Sequence, residues 1–366
     1  MVGDVRTQSL ATIEEFSWPK APGGPGWHDF VAIMTLRNEL LRVRGSTIHQ
    51  ASPEKILAGW NDPAEGERRA LLARREGEIV GFTDLHWDSA LGADTAAVRF
   101  FLDQGARYAG LGSEMLERIE EVARAEGKTT LLSYYECADE AGERLVPPSG
   151  FGSMPAGEPT IRFLSKRGFE LILVSRVSML RLPVADEFLA GIQATSARRA
   201  GSDYRLVRWR NETPEHWLVD VAALKSEAAG HLPSVTIDGR SGLWTVKRLV
   251  EDEQRRSLWH ETWFNSAIEH VPTGHLVGLS ELGSISPEDG LPGYYHQYWS
   301  HVADAHRSRG LGKLLKAAHL RWFQSQHPFM HALITYNPEE EQGMAEVNRQ
   351  LGFKPLHLEG TFRKQL

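Results

Sequence analysis

An Arg-x-x-Gly-x-Gly pattern occurs twice in this chain, 200 residues apart: Arg107, Gly110 and Gly112 in "GARYAGLGSEMLERIEEVA", and Arg307, Gly310 and Gly312 in "AHRSRGLGKLLKAAHLRWF". Each copy follows a β-like apolar run and opens a helix-spaced stretch. In the second, Leu311, Leu314, Leu315, Ala318 and Trp322 fall on one face. One such match alone carries little weight. Two in equivalent surroundings make the chain a tandem of one structural unit. Glycines at these positions remove side chains where backbone must approach a ligand, and the first-turn N–H groups have no intrahelical acceptor. An anion satisfies them, and the helix dipole adds roughly 0.3–1 kcal/mol, up to about 2 when partly buried.

The order of elements repeats around the motifs. In the first copy an amphipathic helix, "WHDFVAIMTLRNELLRV", precedes a hairpin turning at Glu76–Glu78 and the strand "AAVRFFL". After the motif come the strand "TTLLSYYE", a short helix ending at Gly168, and a strand "LILVSRVSMLRL" expected to close the unit. From Tyr204 the order recurs: strand "YRLVRW", two helices, strands "ETWFNSAIEHV", "GHLVGLSELGSI" and "YYHQYWSHV", the second motif, strand "MHALITYN" and helix "MAEVNRQLGF". This predicts an N-terminal domain at 1–183, a polar, Ala-rich linker at 184–203 and a C-terminal domain at 204–366. The fold class expected is α/β (α+β), each half a mixed, mainly antiparallel twisted sheet flanked by helices. Gly112 to Gly168 spans 56 residues and Gly312 to Gly352 spans 40, so the first copy carries an insertion, placed near 138–159 and read as a surface loop or lid.

Composition narrows the function. Hydrophobic residues make 41% and charged residues 24% of the 366, as in ordinary globular proteins, and the net charge of -7 argues against a nucleic-acid partner. Cys137 is the one cysteine, which excludes an internal disulfide and a multi-cysteine metal site, so no metal is expected. No basic segment leads into an apolar run near residue 1, and no stretch of about 18 apolar residues occurs. A cytoplasmic protein without a membrane partner is expected, as monomer or homodimer.

The succession of strand, RxxGxG, helix, strand and a short helix ending in "RGF" or "LGF" resembles the GNAT N-acetyltransferase superfamily, and nearly the whole chain fits as two copies. The resemblance implies acetyl-CoA as co-substrate, its pyrophosphate on the glycine loop and its pantetheine arm along the preceding strand. Carried over, these roles fall on Val302, Ala303, Asp304, Arg307, Ser308, Arg309, Gly310, Leu311, Gly312 and Lys313 of the second copy. In the first they fall on Leu102, Arg107, Ala109, Gly110, Leu111, Gly112 and Ser113. A dinucleotide site is disfavoured, since the GxGxxG order and the later acidic residue are missing.

Charge distinguishes the copies at this level. The second offers Arg307, Arg309, Lys313 and Lys316 near the phosphate position, whereas the first offers Arg107 followed by Glu114, Glu117, Glu120 and Glu121. Coenzyme A is therefore expected in the C-terminal copy. Acetylation needs a free amine, and an alkylammonium of pKa about 10.4 costs roughly 4–5 kcal/mol to deprotonate at pH 7. Some members of the superfamily place a glutamate six residues before the apolar residue that meets the cofactor. Counting back from Val302 gives His296, and from Leu102 gives Ala96. Strict alternation puts His296 on the face of Tyr298, Ser300 and Val302, as general base, with Glu281 as its rival. The family's acid tyrosine is replaced by Asn348, and by Leu164 in the first copy. Asn348 can donate a hydrogen bond but not a proton, which leaves solvent or Tyr336 for that role. Asn337 either bonds the pantetheine or caps the next helix, and Trp299 is a candidate wall of an acceptor pocket. The function expected is transfer of an acetyl group from acetyl-CoA to a primary amine of a small molecule or peptide, mainly in the C-terminal half. The alternatives are a mycothiol-synthase-like acetylation of an amino-thiol sugar conjugate and a non-catalytic acyl-CoA-binding scaffold.

Overall fold

The computed structural model describes residues 11–45, 50–87, 92–107, 110–230, 243–258, 261–284, 294–328 and 330–366. After strand β1 (Thr12–Glu15), helix α1 (Trp27–Arg44) runs between Gly26 and Gly45, both in the left-handed region. Helix α2 (Pro53–Asn61) starts on Ser52, whose hydroxyl accepts the Lys55 N–H, with proline at its first position. Strands β2 (Glu67–Arg75) and β3 (Glu78–Trp87) form the expected hairpin, and β4 (Thr95–Leu102) leads to the first glycine motif and α3 (Leu111–Ala125). Strand β5 (Thr130–Cys137), the short pair β6 (Arg144–Leu145) and β7 (Met154–Pro155), helix α4 (Pro159–Lys166) and β8 (Glu170–Arg181) follow. Glu158 caps α4, accepting the N–H groups of Thr160 and Ile161.

The next stretch, expected to be a linker, is the helix α5 (Asp186–Ala200). Asp186 and Gln193 accept from Arg321, and Leu189 and Ile192 pack into an apolar cluster, so this segment is held rather than loose. The chain continues through β9 (Tyr204–Arg210), α6 (Leu218–Gly230), α7 (Val246–Leu258), β10 (Trp263–His270), β11 (His275–Ser284) and β12 (Tyr294–Val302). It ends with α8 (Leu311–Gln326), β13 (Ala332–Pro338), α9 (Gln342–Leu351) and β14 (Lys354–Gln365).

Two compact units emerge, but their boundaries are not those of the two sequence copies. The first comprises Met1–Pro148, Met154–Ile172 and Gly360–Leu366, and the second Ser149–Ser153 and Leu173–Glu359. The division at 183 is thus corrected in both directions. Most of β8, expected to close the first copy, pairs antiparallel with β13 in the second unit, from Pro338↔Ser175 to Ala332↔Arg181. The end of β14 completes the first unit beside β5, where Thr130 donates to Gln365 and the Leu366 N–H meets the Thr129 carbonyl at 2.8 Å. Residues 149–153 of the insertion also belong to the second unit, where a Cβ on Gly152 would fall 2.9 Å from Val174 Cβ.

Each unit holds a mixed, mainly antiparallel sheet flanked by helices. In the first, β1-β2-β3-β4 are antiparallel neighbours and β4 runs parallel to β5. Phe30, Ile33, Met34, Leu40 and Leu57 of α1 and α2 bury one face against Ala70, Leu72, Phe82 and Phe101, each contributing about 1.5–3 kcal/mol when fully buried. Met115 of α3 reaches the opposite face at Gly81. In the second unit β9-β10-β11-β12 are antiparallel and β12 runs parallel to β13. Here Val221, Ala222, Leu224 and Leu249 of α6 and α7 cover one face, while Leu315 of α8 packs on Gly278 at the other. Among the described residues no helix is long and apolar enough to cross a membrane.

Candidate active site

The parallel strands of each unit part company just before the glycine motif. In the first, β4 and β5 pair only from Thr95↔Thr130 to Ala97↔Leu132. In the second, β12 and β13 pair only from Tyr294↔Ala332 to Gln297↔Thr335. Past these points the backbones of 98–102 and 298–302 face away from a parallel neighbour. Gly110 (φ 84°) and Gly310 (φ 83°) then begin α3 and α8 in the left-handed conformation, and neither helix start receives a side-chain cap. Parted strands beside an uncapped helix start make a slot for an extended ligand whose anionic end meets free N–H groups.

In the first unit this slot opens into a cavity of about 570 Å³. Gly110, Gly112 and Ser113 line it at the helix start, and Phe82, Phe100, Phe101, Leu102, Met115 and Phe163 give it apolar walls. Its cations are Arg44, Arg107, Arg162 and Lys166. Arg44 comes from α1 and the last two from α4, so the impression that Arg107 stands alone here is corrected. Arg167 adds to this set, donating to Ser113 Oγ and lying 4.0 Å from Glu117. Glu120, also expected to repel an anion, is engaged by Lys364 and Arg124. Ala109 lies outside the described residues.

The second loop holds less free charge than its sequence suggests. Arg307 donates to the Val302 carbonyl at 3.1 Å and pairs with Asp304 at 3.0 Å. Ser308 takes a positive φ of 63°, and its carbonyl accepts from Arg199, whose stem lies over Gly310. Arg309 is exposed and Lys313 half-buried, both on the loop side, with Ala303 and Leu311 packed inward. Lys316 is not at the phosphate position. Its ammonium is 1% exposed and donates to Asn348 Oδ1, and burial lowers its pKa to about 7.

Lys316 heads a buried polar seam. Asn348 Nδ2 donates to Asn337 Oδ1 at 2.6 Å, and Thr335 Oγ1 reaches the same oxygen at 3.4 Å. Asn337 is therefore not the cap of α9, which begins at Glu341 without a side-chain cap. The corresponding positions in the first copy are Leu116, Leu164 and Tyr135, and the Tyr135 hydroxyl donates to Glu158 at 2.7 Å.

A β-bulge changes the placement of His296. Opposite β11, Trp299 pairs with Glu281 but Gln297 with Leu282, so Tyr298 is an extra residue. Alternation is reset there. Val302 and Ser300 share the α8 face with Gly278 and Ser280, whereas His296, opposite Gly283, shares the α6–α7 face with Trp299 and Glu281. His296 is buried at 7% exposure, near-parallel to Tyr298 (5.9 Å, 25°) and Tyr336 (6.1 Å, 14°). In the first unit the matching cross-strand step is His86↔Ala97, so a histidine occupies this step in both copies, on β3 in one and β12 in the other. Counting residues to Ala96 had hidden it.

Glu281 is 3% exposed and bound by Lys225 Nζ at 3.0 Å and Arg256 Nη1 at 2.7 Å. Burial alone would raise its pKa, but the two cations outweigh that and hold it below the usual carboxylate range. A carboxylate so engaged is a weak base. Trp299 and Trp244 flank Lys225 at 5.3 and 4.6 Å, so Trp299 packs on a cation. Asp84 occupies the same step of the first hairpin, three residues from Gly81 as Glu281 is from Gly278. Arg68 donates to it, Arg99 binds both its oxygens at 3.1 and 2.7 Å, and these partners overcome burial to hold it at about 2. Cys137 is buried with its thiol pushed up to about 12, which makes it a poor nucleophile. No cluster of metal-ligating side chains occurs among the described residues.

Comparison with known proteins agrees with this geometry. Residues 32–144 match the profile of the Acetyltransferase (GNAT) family. A protein named IAA acetyltransferase from Azospirillum brasilense is 35% identical over 101 residues, 28% of this chain and 64% of that relative, so the match spans less than two thirds of the relative's length. Among solved structures, a tandem GNAT protein from the clavulanic acid biosynthesis pathway, without acetyl-CoA, superposes with a TM-score of 0.67 at 20% identity, covering 97% of this chain and 98% of that one. A GCN5-related N-acetyltransferase from Sphaerobacter thermophilus gives 0.59 at 16% identity over 96% and 95% of the two chains. At these identities the structural likeness is one of fold.

Proposed function

We propose, from the family match to residues 32–144 and the tandem fold, that the chain is a tandem member of the GNAT superfamily and transfers an acetyl group from acetyl-CoA to a primary amine of a small molecule or peptide. The observation that carries this reading is the first unit's cavity, which joins an uncapped helix start, four cations and an apolar wall along the parted strand β4. A polyanionic carrier with a slender, partly apolar arm fits that combination. The Gly110–Ser113 and Gly310–Lys313 backbones would receive the pyrophosphate, and residues 98–102 and 298–302 the pantetheine. The amine nitrogen bonds to the thioester carbonyl carbon as the C–S bond breaks, and the departing sulfur takes a proton to become the free thiol.

Proton removal from the amine falls to His296 in the second copy, on the face that α6 and α7 cover. His86 is the candidate in the first. Asn348 acts as a hydrogen-bond donor, held in orientation by Lys316 behind it. The preference for the C-terminal copy loses its electrostatic ground, because α4 supplies the first loop with cations and Lys316 turns away from the second. Both copies are therefore assigned acetyl-CoA.

Calorimetry with acetyl-CoA, beside a thiol-release assay on amines, tests the reading. Two equivalents should bind, with one lost in Gly110→Asp and the other in Gly310→Asp, because a carboxylate would lie where the phosphates go. His296→Ala should flatten the pH profile of the second copy's activity. Acetyl-CoA binding without thiol release across amines, peptides and amino sugars would replace catalysis with a binding role.

A further inference from the structure

Beneath α1 and α2, the first unit gathers more positive charge than its carboxylates balance. Asp84 is already satisfied by Arg68 and Arg99. Glu65 lies in the field of the same two arginines, and His86 lies near Asp84. Arg37 of α1 then adds a third guanidinium. Among the described residues its side-chain hydrogen bond goes to Asn38 Oδ1 at 3.0 Å, with no ion pair to a carboxylate. Burial first, and Arg99 second, lower its pKa to about 10. A desolvated cation beside like charges is unfavourable, and an apolar side chain there would pack without that cost. Among the described residues, Arg37 therefore keeps guanidinium donors that no carboxylate takes up.

The position of this surplus says what an anion there would belong to. Arg99 lies two residues past Ala97, where β4 and β5 part, and its side chain is 35% exposed. The Asp84–Arg99 step is two residues from the Phe82–Phe101 step, roughly 7 Å along the strands. Phe82 and Phe101 both line the cavity assigned to acetyl-CoA, and they stack on the same α1–α2 face at 4.7 Å. An acceptor attacking a thioester near those rings would carry its other end toward the arginines.

We propose, resting on the acetyl-transfer reading above, that the acceptor of the first copy is an amine that also bears a carboxylate, held by Arg37 and the exposed edge of Arg99. The planar fork of a guanidinium matches a carboxylate better than it matches a neutral amide. In the second copy, among the described residues, Arg256 and Lys225 each face carboxylates, Glu281, Glu261 and Glu253, whereas Arg37 of the first makes no ion pair.

The test uses the full chain and matched probes: glycine, β-alanine and phenylalanine with their carboxamides as acceptors, and the N-acetylated acids and amides as equilibrium ligands. Acids are expected to bind at least about tenfold more tightly than amides. Arg37→Gln, which leaves the Asp84 pairs intact, should cut that preference to about threefold or less with acetyl-CoA affinity unchanged. The double variant Asp84→Asn with Arg99→Gln, which removes both charges of a buried pair together, should do the same. Amides binding as well as acids, or an acid preference that survives both variants, would overturn the proposal. Loss of acetyl-CoA binding or of all thiol release would instead strike the acetyl-transfer reading, because the acid–amide difference is read from equilibrium binding.

Discussion

Asp84 and Glu281 stand at the same step of equivalent hairpins, each buried and each held by a pair of cations, yet the elements supplying their surroundings are exchanged. Around Asp84 the cations come from strands, Arg68 and Arg99, and the aromatic ring under Arg68 comes from helix α2 as Trp60. Around Glu281 the cations come from helices, Lys225 and Arg256, and the rings come from strands as Trp299 and Trp263 and from the approach to α7 as Trp244. The buried acid with its two partners is thus what the repeated architecture keeps, and the identity of the element that pairs it is free to vary. On the acetyl-transfer reading, strand-borne Arg99 lies along the face proposed for the acceptor, whereas Lys225 and Arg256 lie against tryptophan rings. If both copies take an acceptor there, they offer it different surfaces on the same strand pattern.

The largest expected effect breaks the pairing itself. Asp84→Asn takes the shared carboxylate from Arg68, Arg99 and Arg37, leaving Glu65 in the field of the first two, and should cost about 3–5 kcal/mol in urea unfolding. Glu281→Gln should fall at or below the lower end of that range, because Arg256 keeps Glu261 at 3.1 Å. Equal losses would mean that the two clusters are energetically the same despite their different makeup.

A second contrast lies in the seam behind the site, where the first copy has Leu116 and the second Lys316. Burial lowers the folded pKa of Lys316 from 10.5 to about 7, so above pH 7 the unfolded chain holds a proton that the folded chain has released. The penalty for burying the charge is full below pH 7 and fades as pH rises toward 10.5. Stability of the native chain should climb over that window by up to about 5 kcal/mol, and Lys316→Leu should remove the climb. A slope that persists in the variant would assign the titration to another group.

The smallest effect concerns the first loop's borrowed charge. Arg162→Ala and Lys166→Ala should each weaken acetyl-CoA binding by about three- to tenfold and reduce its salt dependence, as read by titration at low and high ionic strength. No change in either would return the preference to the C-terminal loop.

What was legible in the sequence was whatever depends on neighbouring residues. The hairpin at Glu76–Gly77, the glycine at each helix start and the succession of strand, motif, helix, strand and short helix around it are local, and these appear as expected. What escaped depends on partners far along the chain. A single extra residue, Tyr298, turns His296 to the other face, and no local pattern in "YYHQYWSHV" marks a bulge. Lys316 counts toward the phosphate position by its place in the sequence, but α8 is covered on more than one side, so Ala317, Ala318, His319 and Leu320 are buried with it. Arg162 and Lys166 belong to the first loop only because α4 folds back beside α3. The sheet that receives β8 or β14 is equally invisible, since an apolar alternating run pairs with whichever edge its connections allow.

The strand exchange also has a consequence for how the molecule is made. Residues 360–366 follow the whole second unit in chain order, yet they complete the unit that began with β1. That unit must wait, with one side of β5 unpaired, until residues 360–366 have emerged, so it cannot finish folding before the second unit has been synthesised. Contacts spanning more than 200 residues, such as Thr130 with Gln365 and Glu120 with Lys364, carry a high loop-closure cost. Release of a chain stopped at residue 359 would leave the first unit incomplete, and its early half would be the part most in need of a chaperone.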